Sequence, residues 1–193
     1  MNQNTLTARS LSMLQAVSAL GTALGAAPRV IAECAGLRVV EEPFLQLASL
    51  RLSKKADRSS ALGALPFDLP STPNGWTGSA ELSLARFEPN AWMLISIATR
   101  SLPESQGPWL VTDLSSRLAS FRLQGARAPA VLASATSVTL PPAGFTRTLF
   151  AETTPVLLQR LGDNEYRLLI DVSLAEYLSS WLADASRMTV PGK

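Results

Sequence analysis

The stretch at residues 109–184 constrains this chain most, because it carries, in order, two strand patterns, a short helix, three further strand patterns and a closing amphipathic helix. Strands joined by hairpin-length turns and followed by helices specify an α+β domain, with antiparallel sheets on one side of a core and packed helices on the other. The closing helix has the clearest grammar. Ser173 is placed to cap its first turn, Glu176 to close a capping box three residues on, and Val172 and Tyr177 to form a hydrophobic staple. Leu174, Tyr177, Leu178, Trp181 and Leu182 recur at helical spacing, so one face is apolar. That face is expected to pack on the three preceding strands, at 145–150, 155–161 and 165–171, the last two joined by Gly162-Asp163-Asn164.

Earlier in the chain the same alternation recurs. Strands are expected at 109–113 and 117–123, with Ala119, Phe121 and Leu123 facing one way, and a helix opens at Gly125 with Pro129 early enough to be tolerated. Two more strands, at 81–87 and 91–98, flank the turn Glu88-Pro89-Asn90. In the second, Met93, Ile95 and Ile97 oppose Trp92 and Leu94, so both faces read as buried. Residues 36–52 read as a strand interrupted at Pro43, with Leu45 and Leu47 on one face and Phe44, Ala48 and Leu50 on the other. Ser60 opens a short helix limited by Pro66, residues 66–78 read as a surface connection, and 101–108 mark a seam between two sheet-and-helix halves.

Residues 4–27 place Leu14, Val17, Leu20 and Leu24 three or four apart, an amphipathic helical pattern ending at Gly25 and Pro28. A secretory signal is the competing reading, against which stand a leading region with only Arg9 and an apolar run broken by Ser12, Gln15 and Ser18. The helix either folds back over the sheet or docks on another protein. Its stripe, Leu14, Val17, Leu20 and Leu24, together with Trp76, forms the expected partner-contact set. The chain thus divides into a helical arm at 1–35, an α+β domain at 36–187 and a loose tail at 188–193. No run approaches the roughly 18 apolar residues of a membrane span.

Composition narrows the chemistry. A chain of 193 residues, 47% hydrophobic and 17% charged, can bury a core without disulfides or structural metal. Cys34 is the sole cysteine; it reads as a helix-flanking, inert thiol in a reducing cytoplasm. The net charge of +2 is spread along the chain and only Lys54, Lys55 and Arg58 cluster, which leaves nucleic acid without an electrostatic footprint. There is no histidine, and with it go the Ser-His-Asp and Cys-His nucleophiles and His-ligated zinc. No catalytic, cofactor-binding or metal residue is assigned. Glu41 and Glu42 point to opposite faces and cannot share a proton, and Asp113 and Asp171 at strand ends read as turn or cap residues. Neither Gly21 to Gly25 nor Gly75 to Gly78 has the strand and helix frame of a phosphate loop. Trp92 and Trp181 read as core, whereas Trp76 and Trp109 flank connections, as plug or as partner anchor.

Ordered landmarks then carry a resemblance. Pro43-Phe44-Leu45 with Leu50-Arg51-Leu52, Pro89-Asn90-Ala91-Trp92-Met93-Leu94-Ile95, Val111-Thr112-Asp113-Leu114-Ser115, Phe121-Arg122-Leu123-Gln124-Gly125-Ala126-Arg127, Thr148-Leu149, Pro155-Val156-Leu157-Leu158, Tyr177-Leu178 and Trp181-Leu182 follow one another from Glu42 to Ala185. In these the chain resembles the gamma subunit of heterotetrameric sarcosine oxidase, itself related to folate-binding aminomethyltransferase domains. The resemblance implies a reduced aminomethyltransferase-like fold and a subunit without catalytic groups. It also implies alpha, beta and delta partners that carry FAD, FMN, NAD, tetrahydrofolate and zinc, in a complex that oxidatively demethylates sarcosine. Two alternatives stay open: the same role in a sister complex for another N-alkyl amino acid, such as N-methylglutamate or a proline derivative, or a free-standing folate-binding protein. The Lys-Gly-Cys-Tyr-x-Gly-Gln-Glu signature of a related repair protein is missing, since Cys34 lies in Ala32-Glu33-Cys34-Ala35-Gly36.

Overall fold

The computed structural model describes residues 18–21, 28–56, 68–98, 102, 104–105 and 107–188. Eleven strands form two antiparallel sheets. The hairpin β1 (Val30–Cys34) and β2 (Leu37–Glu41) opens the six-stranded sheet, whose order β1-β2-β8-β11-β10-β9 is completed late in the chain by β8 (Leu118–Gln124), β9 (Phe145–Phe150), β10 (Thr154–Gly162) and β11 (Glu165–Asp171). Between β2 and β8 the chain builds the five-stranded sheet, in the order β4-β5-β6-β3-β7, from β3 (Gln46–Leu52), β4 (Trp76–Gly78), β5 (Leu82–Glu88), β6 (Ala91–Ser96) and β7 (Trp109–Asp113). Helix α1 (Ala128–Ala133) and, after a 3₁₀ turn at Val172–Leu174, helix α2 (Ala175–Arg187) complete the described elements.

The alternation of side chains in the strands sorts the core into layers. One face of the six-stranded sheet (Val39, Phe121, Leu123, Val156, Leu158, Leu168, Ile170) packs with Val131 and Leu132 of α1 and Leu178 and Leu182 of α2. Its other face meets the five-stranded sheet, where Leu45, Leu47, Ala85, Met93 and Ile95 pack with Phe145 and Leu169. The far face of the five-stranded sheet buries Leu50, Leu84, Leu94 and the tilted pair Trp92 and Trp109, 5.5 Å between ring centroids. Loops close that face: Trp92 Nε1 donates to the Pro70 carbonyl at 3.3 Å and the Arg86 guanidinium donates to the carbonyls of Ser71 and Pro89.

Several expectations are corrected. Among the described residues the helices lie on one face of one sheet, and the middle of the described structure is sheet against sheet, instead of two sheet-and-helix halves. Residues 30–34, assigned by sequence to the helical arm, form β1, because Ala35-Gly36 makes a tight turn with Gly36 at φ +77° and returns the chain into β2. Cys34 is therefore a strand residue, half-buried, not a helix-flanking one. The helical pattern at 4–27 is interrupted at residues 18–21 by a turn, with Gly21 N–H donating to Ser18 O at 3.0 Å and Gly21 at φ +80°. Leu14, Val17, Leu24, the Ser60 helix and the tail from 189 lie outside the described residues. Residues 76–78, read as part of a surface connection, form β4, and Gly75 just before it makes an isolated bridge to Gly144, just before β9. Ile97 is exposed, because β6 ends at Ser96.

Helix α2 forms where the sequence places the closing helix, but it starts differently. Ser173 does not cap it: Asp171 caps a 3₁₀ turn that precedes the helix, its Oδ1 accepting from Ser173 N–H at 3.1 Å and from Ser173 Oγ at 2.7 Å. The first residue before α2, Leu174, makes no side-chain cap, and Val172 and Tyr177 are exposed. The helix lies across β1 and β2 as well as the later strands, and its Trp181 meets Phe150 edge-on at 4.6 Å.

Candidate functional site

The polar groups of this molecule concentrate where the two sheets meet. Glu42 follows β2 and points into that layer, while Glu41 points the opposite way, is 1% exposed, and accepts from Leu20 N–H at 3.3 Å. The two carboxylates are thus separated by the strand pleat, as adjacent strand residues must be. Glu42 takes both arms of the Arg167 guanidinium, at 2.6 Å from Nε and 3.1 Å from Nη2, with Ser120 Oγ at 2.9 Å and Arg122 Nη1 at 3.4 Å. Arg167 has no exposed surface and spends its remaining donors on Gln159 Oε1 at 3.1 Å and the Ala80 carbonyl at 2.9 Å. Gln159 in turn donates to Ser83 Oγ of the opposite sheet at 3.0 Å. Arg122 and Gln124 converge on Glu165 at 2.7 and 2.6 Å. No fully buried side-chain nitrogen or oxygen among the described residues lacks a partner.

These contacts set the charge states. Burial, the largest single influence on Glu42, pushes its pKa up, but Arg167, Ser120 and Arg122 together outweigh it and leave the carboxyl below the ordinary glutamate range. The Ser115 hydroxyl and N–H lower Asp113, and the corresponding groups of Ser173 lower Asp171. All three carboxylates are therefore ionised near neutral pH, and act as hydrogen-bond acceptors and counter-charges. Asp113 and Asp171 are turn residues, as their positions at strand ends suggest.

Of the clefts among the described residues, two bear on the site. One, of about 530 Å³, is walled by Glu41, Glu42, Phe44, Asp113, Ser115 and Ser120. The other, of about 400 Å³, lies between β3 of one sheet and β9 to β11 of the other; Met93, Leu157 and Leu169 form its floor and Arg51, Arg117 and Arg147 its walls. Among the described residues no group of three or more His, Cys, Asp or Glu could hold a metal ion, and no helix is long and apolar enough to cross a membrane.

Of the residues that sequence marked for partner contact, Leu20 lies in the turn beside Glu41, half-buried, with its carbonyl accepting from Arg29 Nη1 at 2.6 Å. Trp76 is half-buried at the start of β4, where its indole N–H donates to the Arg160 carbonyl at 3.0 Å. The structure does not bring the two into one cluster: Leu20 packs on the helix-bearing side and Trp76 between the sheets. Trp109, left open by sequence, is a core residue, 3% exposed. Arg167 and Gln159 were not singled out by sequence, and Glu42 was weighed only beside Glu41. The signal for the first two was available in the hairpin: folding 155–171 about its turn sets Gln159 opposite Arg167, two polar groups paired on one face.

No family model matches the chain. The chain is 31% identical over 142 residues, 72% of its length and 67% of the relative's, to the sarcosine oxidase subunit gamma of Corynebacterium sp. (strain U-96). Its fold is similar to a chain of the heterotetrameric sarcosine oxidase from Corynebacterium sp. U-96 in complex with pyrrole 2-carboxylate, with a TM-score of 0.69 and 25% identity over 80% of this chain and 87% of that one. It is also similar to the glycine cleavage system aminomethyltransferase T from Bartonella henselae, with a TM-score of 0.55 and 17% identity over 79% of this chain; there the chain spans 49% of the longer protein, and the likeness is one of fold.

Proposed function

The chain belongs to the sarcosine oxidase gamma-subunit family, and from that premise we propose that it serves as a non-catalytic gamma subunit of a heterotetrameric, sarcosine oxidase-like flavoenzyme complex. Its partners in this reading are alpha, beta and delta subunits, and FAD, FMN, NAD, tetrahydrofolate and zinc reside on them. The observation that supports the reading is the 31% identity to a sarcosine oxidase gamma subunit over 142 residues, together with the likeness in fold to a chain of a heterotetrameric sarcosine oxidase over 80% of this chain. The interior chemistry supports it: the chain has no histidine, and the fully buried Arg167 is spent on Glu42, Gln159 and the Ala80 carbonyl.

A subunit of this kind acts by burying apolar surface, and a stable contact removes more than about 1,000 Å² from water. The sequence pointed to Leu14, Val17, Leu20, Leu24 and Trp76 as the contact. Since Leu20 and Trp76 are partly used within the chain, the exposed Val172, Leu174 and Tyr177 on the outer side of the 3₁₀ turn and α2 are added to that set. Co-expression with the large subunits of such a complex tests the reading: the isolated chain is expected to be colourless and to co-elute with flavin-containing partners. Stoichiometric flavin binding by the chain alone, or amine oxidation by it, would overturn the non-catalytic assignment.

A further inference from the structure

The 400 Å³ cleft between the sheets has the size of a small-molecule site, and its wall carries a net positive charge. Three arginines, Arg51, Arg117 and Arg147, face two carboxylates, Glu88 and Asp171, so one positive charge is left over. The existing pairs are Arg51 with Glu88 at 3.3 Å and Arg117 with Asp171 at 3.6 Å, while Arg147 has no acidic or hydrogen-bonding partner among the described residues.

A second observation is independent of the charges. Ser49, on the inward face of β3, is 8% exposed, and its hydroxyl makes no hydrogen bond to any described residue. Every fully buried side-chain oxygen in the described structure is satisfied, so the Ser49 hydroxyl is not sealed in; its open side is the cleft it lines. No described residue uses that hydroxyl, so it is free to donate to whatever enters the cleft. The floor of Met93, Leu157 and Leu169 offers it no polar group.

We propose that this inter-sheet cleft binds a small organic monoanion, a carboxylate on a compact apolar body. The apolar body covers Met93, Leu157 and Leu169, the carboxylate pairs with Arg147 at the rim, and one of its oxygens accepts from the Ser49 hydroxyl. The guanidinium fork suits a carboxylate, and the surplus of one charge is neutralised by one ligand charge. This site is separate from the assembly role and does not depend on it.

Calorimetric titration of the full chain at low salt with benzoate, and with neutral benzamide as its isostere, tests the proposal. Benzoate is expected to bind saturably at one site and benzamide at least about tenfold more weakly, since a charge-assisted hydrogen bond is lost. Arg147→Gln, at an exposed position that leaves the fold intact, weakens benzoate about tenfold, Arg147→Lys recovers part of the loss, and Ser49→Ala weakens both probes. Equal binding of the two probes, no saturable binding, or indifference to Arg147→Gln overturns the site. Binding to the chain alone that vanishes once the chain is assembled with partner subunits assigns the cleft to an acidic side chain of a partner, and equally overturns the small-ligand reading.

Discussion

Arg167 sits mid-strand with no exposed surface, and a charge so placed is tolerable only because Glu42, Gln159 and the Ala80 carbonyl surround it. Removing one member strands the others. Arg167→Leu is expected to cost about 3–5 kcal/mol in urea unfolding, whereas the paired replacement Glu42→Gln with Arg167→Met costs less than the sum of the single changes, a coupling of at least about 1 kcal/mol. The same pair sets an acid limb. Because the folded pKa of Glu42 lies below its unfolded value, the carboxylate stabilises the fold above the ordinary glutamate range, and that contribution is lost as pH falls through the depressed value. Unfolding midpoints measured by circular dichroism should therefore drop as pH falls below about 4.3, and Glu42→Gln should flatten the drop. Asp113 and Asp171, also lowered, add to the limb in the same direction.

At the scale of elements, caps and turns decide how strands hand over to helices. Asp171 holds the entry to α2, so Asp171→Ala should cost about 1 kcal/mol of stability, while Glu176→Ala should be nearly neutral because Glu176 closes no capping box here. Equal effects of the two substitutions would restore the sequence reading. Gly125 joins β8 to α1 at φ +116°, and a Cβ there would stand 2.4 Å from the Gly36 carbonyl oxygen of the β1–β2 turn. Gly125→Ala combines left-handed strain with a backbone clash, and is expected to lower stability by about 2–4 kcal/mol in thermal or urea unfolding. A loss no larger than that of an ordinary surface substitution would show that the two turns give way.

For the whole molecule, the layer between the sheets is what makes one folding unit of two sheets built from interleaved parts of the chain. Ile95 and Leu169 from opposite sheets are both buried there, and Leu169→Ala should cost about 2–5 kcal/mol. Near-ultraviolet signals from Trp92 and Trp109 of the five-stranded sheet should disappear at the same temperature as the backbone signal of the entire chain. Two separate transitions would show that the sheets melt independently.

The residues 81–98 and 145–171 declared their strands and turns through the period of their apolar positions, and the absence of histidine closed off whole classes of chemistry; both are local or compositional properties, readable wherever the chain goes. The ordered landmarks carried the family likeness in the same way. What the sequence left undecided was which sheet each strand joins, that β1 pairs with β2 inside the supposed arm, that a 3₁₀ turn precedes α2, and that Arg167 reaches Glu42 across 125 positions. Those outcomes depend on long-range register and on which polar groups find partners once water is excluded, and only the packed tertiary structure brings such groups within hydrogen-bonding distance.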